Sequence, residues 1–228
     1  MLAAAAGAGA PPPELPTGSR LGSHLRPGPK LTLRDQAVGA KRMAQCLYNL
    51  EPELARATLL APTRSYAEAT SAKLSGRLQC MGAEFANDMV EERYVNFPHE
   101  ILRGMLAEVA LQRSRGEVDA LQPLPLQPVY ARPWFAVTGR HLSVDEMGAC
   151  LADTNPAAAA TLIRTPPAGS EEGAAFASLA DNLGKCLRAG TRLQASRQAL
   201  RAALAEALYQ RINVPLPASA PTAEATKN

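Results

Sequence analysis

The chain has 228 residues, a formal net charge of +3, 46% apolar residues and only 4% aromatics. That length holds one large or two small domains. The near balance of charge, with arginines spread along the chain, gives no focused nucleic-acid footprint, and no apolar run reaches the roughly 18 residues of a membrane-spanning helix. Apolar content drawn mainly from Ala and Leu favours helices packed through small residues over a β-sandwich, which would use Val, Ile, Tyr and Thr.

Residues 1–31 are rich in Pro and Gly and lack an apolar period, which predicts a disordered leader. Ala8-Gly9-Ala10 ahead of Pro11-Pro12-Pro13 also fits the small-residue end of a secretory signal, without its basic start and full apolar run. Leader and signal remnant both stand. The first helix is expected from Leu33 to Leu50, on the stripe Val38, Met43, Cys46, Leu47 and Leu50. Pro52 interrupts it and starts a short helix through Leu60, and Pro62 marks a turn. Ser65-Tyr66-Ala67-Glu68 reads as a capping box, opening a longer helix through Leu74, Leu78 and Cys80 to about Asp88. Asn96 is placed to cap the next helix, with Pro98 in its first turn. Its stripe of Ile101, Leu102, Met105, Leu106, Val109 and Ala110 is amphipathic and fades near Arg113.

Residues 114–141 break the pattern. Pro123, Pro125, Pro128 and Pro133 exclude a helix and argue against a central strand. Leu124, Leu126, Val129, Tyr130, Trp134, Phe135 and Val137 predict an extended segment laid against the helices. Helical pattern returns from Leu142 to Ala152, and Asn155-Pro156 is an N-cap followed by Pro at the first helical position. Ser170-Glu171-Glu172 puts carboxylates where the helix dipole favours them and opens a long helix through Phe176, Leu179 and Leu183 to Cys186. Gly190 ends it or turns the chain. Ser196 caps the last helix, with the stripe Leu200, Leu204, Leu208 and Ile212, and a disordered tail follows from Pro215.

Two stretches organise this succession. Leu102-Arg103-Gly104-Met105-Leu106-Ala107-Glu108 returns as Leu200-Arg201-Ala202-Ala203-Leu204-Ala205-Glu206, and each closes a block that begins with Met-x-x-Cys-Leu, at Met43 and Met147. The fold expected is therefore all-α: two tandem helical repeats, 32–113 and 142–213, of about four helices each, joined by the Pro-rich connector 114–141 and flanked by 1–31 and 214–228. The first block carries extra residues between its second Cys and the closing Leu-Arg, around Asp88 to Tyr94, including Glu91, Glu92 and Arg93.

The four cysteines fall into similar pairs, Cys46 with Cys80 (34 apart) and Cys150 with Cys186 (36 apart). The matched spacing suggests one disulfide per block and an oxidising compartment. Intra-block pairing is one of three connectivities, and four buried thiols in a cytosolic protein are the alternative. The histidines His24, His99 and His141 do not cluster, and His99 beside Glu100 is expected as an exposed residue at a helix start. No H-E-x-x-H pattern, Gly-x-Ser-x-Gly elbow, phosphate-cradling loop or Rossmann fingerprint occurs. No cofactor or metal is expected, and Cys80 as a nucleophile has no base paired with it. Arg103, Glu108, Arg201 and Glu206 are the most suggestive polar residues. Five residues apart on a helix, the members of each Arg/Glu pair do not face each other. They can reach a neighbouring helix or the other block; the bridge expected is to the rest of their own block, and the alternative is a pair of equivalent sites for a charged partner. Trp134 and Phe135 are further candidate contact points.

The Met-x-x-Cys segment, the Pro-initiated short helix, the Ser-capped helix ending in Cys and the terminal Leu-Arg-x-x-Leu-Ala-Glu-x-Leu-Tyr together resemble small exported proteins of sphingomonad-type alphaproteobacteria. The resemblance runs from about Met43 to Arg211 and is closer in the second block. It implies export, periplasmic or secreted, and paired cysteines. It implies no activity, ligand or catalytic residue. The function expected is a non-enzymatic binding or accessory protein of the cell envelope, with an unidentified protein partner. The alternatives are a hydrolase-like enzyme in which His99, Glu108 and His141 converge between the blocks, and a cytosolic regulator with four free thiols.

Overall fold

The computed structural model describes residues 32–80, 98–187, 193 and 195–215. The leader, the stretch around Asp88 to Tyr94, Asn96, Gly190 and the tail beyond Pro215 lie outside the described residues. Every regular element among the described residues is helical, and none of these helices is long and apolar enough to cross a membrane.

Helix α1 (Leu33–Leu50) begins at a reciprocal cap. The Thr32 side chain accepts from the Asp35 amide, and the Asp35 carboxylate accepts from the Thr32 amide at 3.0 Å. Pro52 opens α2 (Pro52–Leu59), as its fixed φ favours. The cap of α3 (Arg64–Ser75) is Thr63 rather than Ser65. The Thr63 hydroxyl accepts from the Tyr66 amide, while Glu68 turns outward to Arg64 at 2.7 Å. Nor does α3 run on to Cys80: it stops at Gly76, and a single 3-10 turn (Leu78–Cys80) follows. Glycine is a poor helix interior residue, and the Cys80–Cys46 bridge draws this turn against α1.

Helix α4 (His99–Arg113) has Pro98 at its cap position, with no side-chain cap. Two short helices break the expected irregular stretch, α5 (Arg115–Asp119) and α6 (Phe135–Thr138). Residues 121–132 between them have no helix or strand, as their prolines require. Helix α6 stops at Gly139, whose φ of 79° suits a residue without Cβ. His141 then caps α7 (Leu142–Thr154), Asn155 caps α8 (Pro156–Arg164), and Ser196 caps α10 (Arg197–Asn213). Helix α9 (Ser170–Cys186) has no side-chain cap, but Glu172 in its first turn reaches back to the Ala168 amide at 3.0 Å.

The packing centres on α4 and α10, which make the most extensive contact among the described residues; α10 also packs on α7 and α8, and α1 packs on α4. Both central helices are buried all round, continuously from Leu102 to Leu111 and from Leu200 to Gln210. A helix enclosed on every side is core rather than a surface helix with one apolar stripe, so the amphipathic reading of α4 is corrected. Two disulfides fasten the outer elements: Cys46–Cys80 ties α1 to the 3-10 turn, and Cys150–Cys186 ties α7 to the end of α9 (Cα–Cα 5.4 and 5.7 Å).

Candidate functional site

The helices that enclose α4 and α10 bury Arg103, Glu108, Arg201 and Glu206. Each pair therefore reaches across to the other central helix. Arg103 Nε donates to Glu206 Oε1 at 3.0 Å, and its Nη2 donates to the same oxygen. Reciprocally, Arg201 Nε and Nη2 donate to the two oxygens of Glu108, at 2.6 and 2.9 Å. All four residues are buried. The bridge expected within each block thus connects one block to the other: Arg and Glu lie about 140° apart on their own helix, and each reaches the complementary charge on the other central helix.

Each guanidinium also completes a helix end. Arg103 donates to the Thr58 and Leu59 carbonyls at the end of α2. Arg201 donates to the Ile163 and Thr165 carbonyls at the end of α8, at 2.7 and 2.9 Å. The last carbonyls of a helix have no partner inside it and carry its negative dipole end, so a cation there satisfies both. Ten residues further along each central helix a second arginine reaches the end of another helix, on α4 through a side chain and on α10 through carbonyls. Arg113 lies over the Tyr48 ring at 4.5 Å and donates to Asn49, near the end of α1. Arg211 donates to the Ala152 and Asp153 carbonyls near the end of α7.

Around these pairs lie residues that sequence reasoning did not single out. Arg140, at the start of the loop to α7, donates to Glu206 Oε2 at 2.6 Å, to Asp145 at 2.7 Å and to the Glu100 carbonyl at 3.2 Å. Thr138 donates to the other oxygen of Asp145 at 2.5 Å. Burial alone would push the Glu206 carboxyl up, but the charges and hydrogen bonds of Arg140 and Arg103 outweigh it and hold it below the usual range. For Asp145 burial wins over Arg140, and its carboxyl is raised. On the other side, Glu108 meets Lys41 at 3.3 Å, and Arg201 meets Glu172 at 2.8 Å. Lys41 and Asp145 stand 104 residues apart, as do the paired Met-x-x-Cys segments. Opposite charges at matched positions were the one signal that would have pointed to them.

The remaining candidates are dispersed. His99 is half-buried, not exposed; among the described residues neither ring nitrogen makes a well-formed hydrogen bond, although the Val137 backbone interacts with the ring. Burial, and then the charge of Arg103, hold its pKa below the ordinary value. His141 Nδ1 accepts from the Ser143 amide at 3.3 Å and pairs with its hydroxyl at 2.7 Å, a capping role. Glu108 is occupied by Arg201 and Lys41, so the three residues of the hydrolase-like alternative share no hydrogen bond. Trp134 is only 8% exposed and meets Phe135 edge to face at 4.5 Å, which leaves Phe135 as the partly exposed member. The connector's apolar residues are split. Tyr130 is buried, while Leu126 and Val129 are 54% and 55% exposed instead of lying against the helices. A cleft of about 170 Å³ runs from Leu126 and Tyr130 to Lys185 and Leu187. Among the described residues no three His, Cys, Asp or Glu side chains gather as metal ligands.

No protein-family model matches this chain, and no curated protein and no solved structure matches it either.

Proposed function

We propose that the chain is a tandem duplication of one disulfide-clamped helical unit, acting as a non-enzymatic binding or accessory protein of the cell envelope. The observation that carries the non-enzymatic part is the fate of the buried charges: Arg103, Glu108, Arg201, Glu206, Arg140 and Asp145 are matched to one another or to helix ends. A reacting group needs a free face toward substrate; Arg103, Arg201, Arg140, Asp145 and Glu206 are engaged and buried, and Glu108, which borders a small cleft, is held by Arg201 and Lys41. The duplication is supported by the constant step of 98 residues that relates Arg103 to Arg201 and Glu108 to Glu206 while their contacts keep the same pattern. Two paired cystines support an oxidising compartment, periplasmic or secreted.

The partner would meet the connector, where Leu126 and Val129 stand exposed beside the partly exposed Phe135. A photo-crosslinking residue at Val129, in protein made in its native host, is expected to capture one envelope protein that the same residue at the remote, exposed Glu53 does not capture. Thiol labelling of the unreduced protein is expected to find no free cysteine. Capture equal at both positions, or four labelled thiols, would end this reading.

A further inference from the structure

We infer that α4 and α10 form a self-complementary seam with a local two-fold axis through Gly104 and Ala202, so that the two sides of the chain associate as the subunits of a two-fold dimer do. An interface of that kind has two marks: residue i touches j of the partner while j touches i, and residues on the axis meet their own equivalents. Both are present. Arg103 pairs with Glu206 and Glu108 with Arg201. Between these pairs Gly104 faces Ala202, its own equivalent at the step of 98. A Cβ on Gly104 would overlap the Cβ and Cα of Ala202 and press on its carbonyl oxygen at 2.8 Å.

The axis therefore accepts one methyl group. Glycine against alanine fits, and alanine against alanine does not. That makes the seam selective as well as self-complementary: the alanine-bearing surface of α10 is suited to the glycine-bearing surface of α4 and not to another copy of itself. Each disulfide closes on one side of residues 121–132, so no covalent bridge other than the connector joins the two sides. The partner for which each side is shaped is the other side, and the seam holds them. The inference stands on the contacts of α4 and α10 and does not need an envelope partner.

The test is an exchange of the axis residues in the full chain. Gly104→Ala alone is expected to lower the Tm by roughly 5–10 °C, as overpacking does, or to leave no folded protein. The exchanged variant, Gly104→Ala with Ala202→Gly, is expected to return to within a few degrees of the original. Ala202→Gly removes only one of the atoms that a methyl group at position 104 would strike, since the Cα and carbonyl of residue 202 remain. Recovery therefore requires the two helices to settle in the arrangement that a two-fold rotation relates to the present one. An exchanged variant as damaged as Gly104→Ala, or a Gly104→Ala protein with an unchanged Tm, would overturn the inference. The second measurement is a protease site placed at Leu126 in the full chain. After cutting, the two fragments are expected to co-elute at the volume of the uncut protein and to acquire a concentration-dependent Tm. Separation of the fragments at micromolar concentration without denaturant would overturn it independently.

Discussion

Glu206 and Glu108 hold the same place in the two copies of the Leu-Arg-x-x-Leu-Ala-Glu sequence, yet their surroundings differ. Glu206 is sealed and held by two arginines, one of which arrives from outside the central helices. Glu108 is held by one arginine and by Lys41, which is 16% exposed, and it lines a cleft of about 120 Å³. Arg201 has a second carboxylate in Glu172, whereas Arg103 has only the carbonyls of α2. Two residues of identical type and register thus anchor networks of unequal redundancy: each carboxylate is shared between two cations, but only on the Glu108 side does the central arginine also have a second carboxylate.

The sharpest way to break that comparison is to neutralise each glutamate in turn. Glu206→Gln leaves two buried guanidinium groups short of a charge, a change expected to cost about 3–5 kcal/mol in urea unfolding. Glu108→Gln leaves Arg201 with Glu172 and Lys41 with water, so its cost is expected to be clearly smaller. Equal losses would show that the two ends are equivalent after all. The disulfides make the next test. Their loops are nearly the same length, 34 and 36 residues apart, so removal of either is expected to cost about 3–4 kcal/mol on the chain-entropy model. Each bridge joins one buried and one partly exposed cysteine, so the Cys46→Ala/Cys80→Ala and Cys150→Ala/Cys186→Ala variants are expected to lose about equally. Calorimetry of the two double variants checks this.

A pH series addresses the sealed side. His99 is packed among Arg103 of its own helix, Glu206 of α10 and Glu68 of α3, and its pKa is depressed. The unfolded chain therefore takes up a proton that the folded chain refuses, and stability falls as the pH drops through the ordinary value of 6.5, levelling off below the folded value. His99→Gln is expected to flatten that slope between about pH 7 and pH 5. Asp145 and Asp153, raised by burial, act with the opposite sign, so the two proteins are compared at each pH. The smallest effect expected is at the exposed Arg64–Glu68 pair, where Glu68→Gln should change stability by less than about 0.5 kcal/mol.

Helix existence was legible wherever the signal is local. Pro52, Pro156, Asn155 and Ser196 mark real boundaries because caps and proline geometry act over three or four residues. The cap of α3 was misplaced by two residues because Thr63 and Ser65 offer the same hydroxyl, and only the chain path decides between them. The burial of α4 and α10 was hidden. A guanidinium and a carboxylate in a helical pattern read as a solvated face, and only the arrival of a second helix with the complementary pair makes them core. The doubled sequence held the clue, since its copies supply each other's partners. Arg140 has one local contact, with Asp145 five residues on, but those that join it to Glu206 and Glu100 span 66 and 40 residues and leave no local trace.

Both cystines join cysteines on the same side of the connector, so neither has to wait for the far end of the polypeptide. In an oxidising environment the first crosslink needs only the residues up to 80 to form. Sequential oxidation in chain order would steer the four thiols away from the two other pairings, and maturation would need little correction by an isomerase.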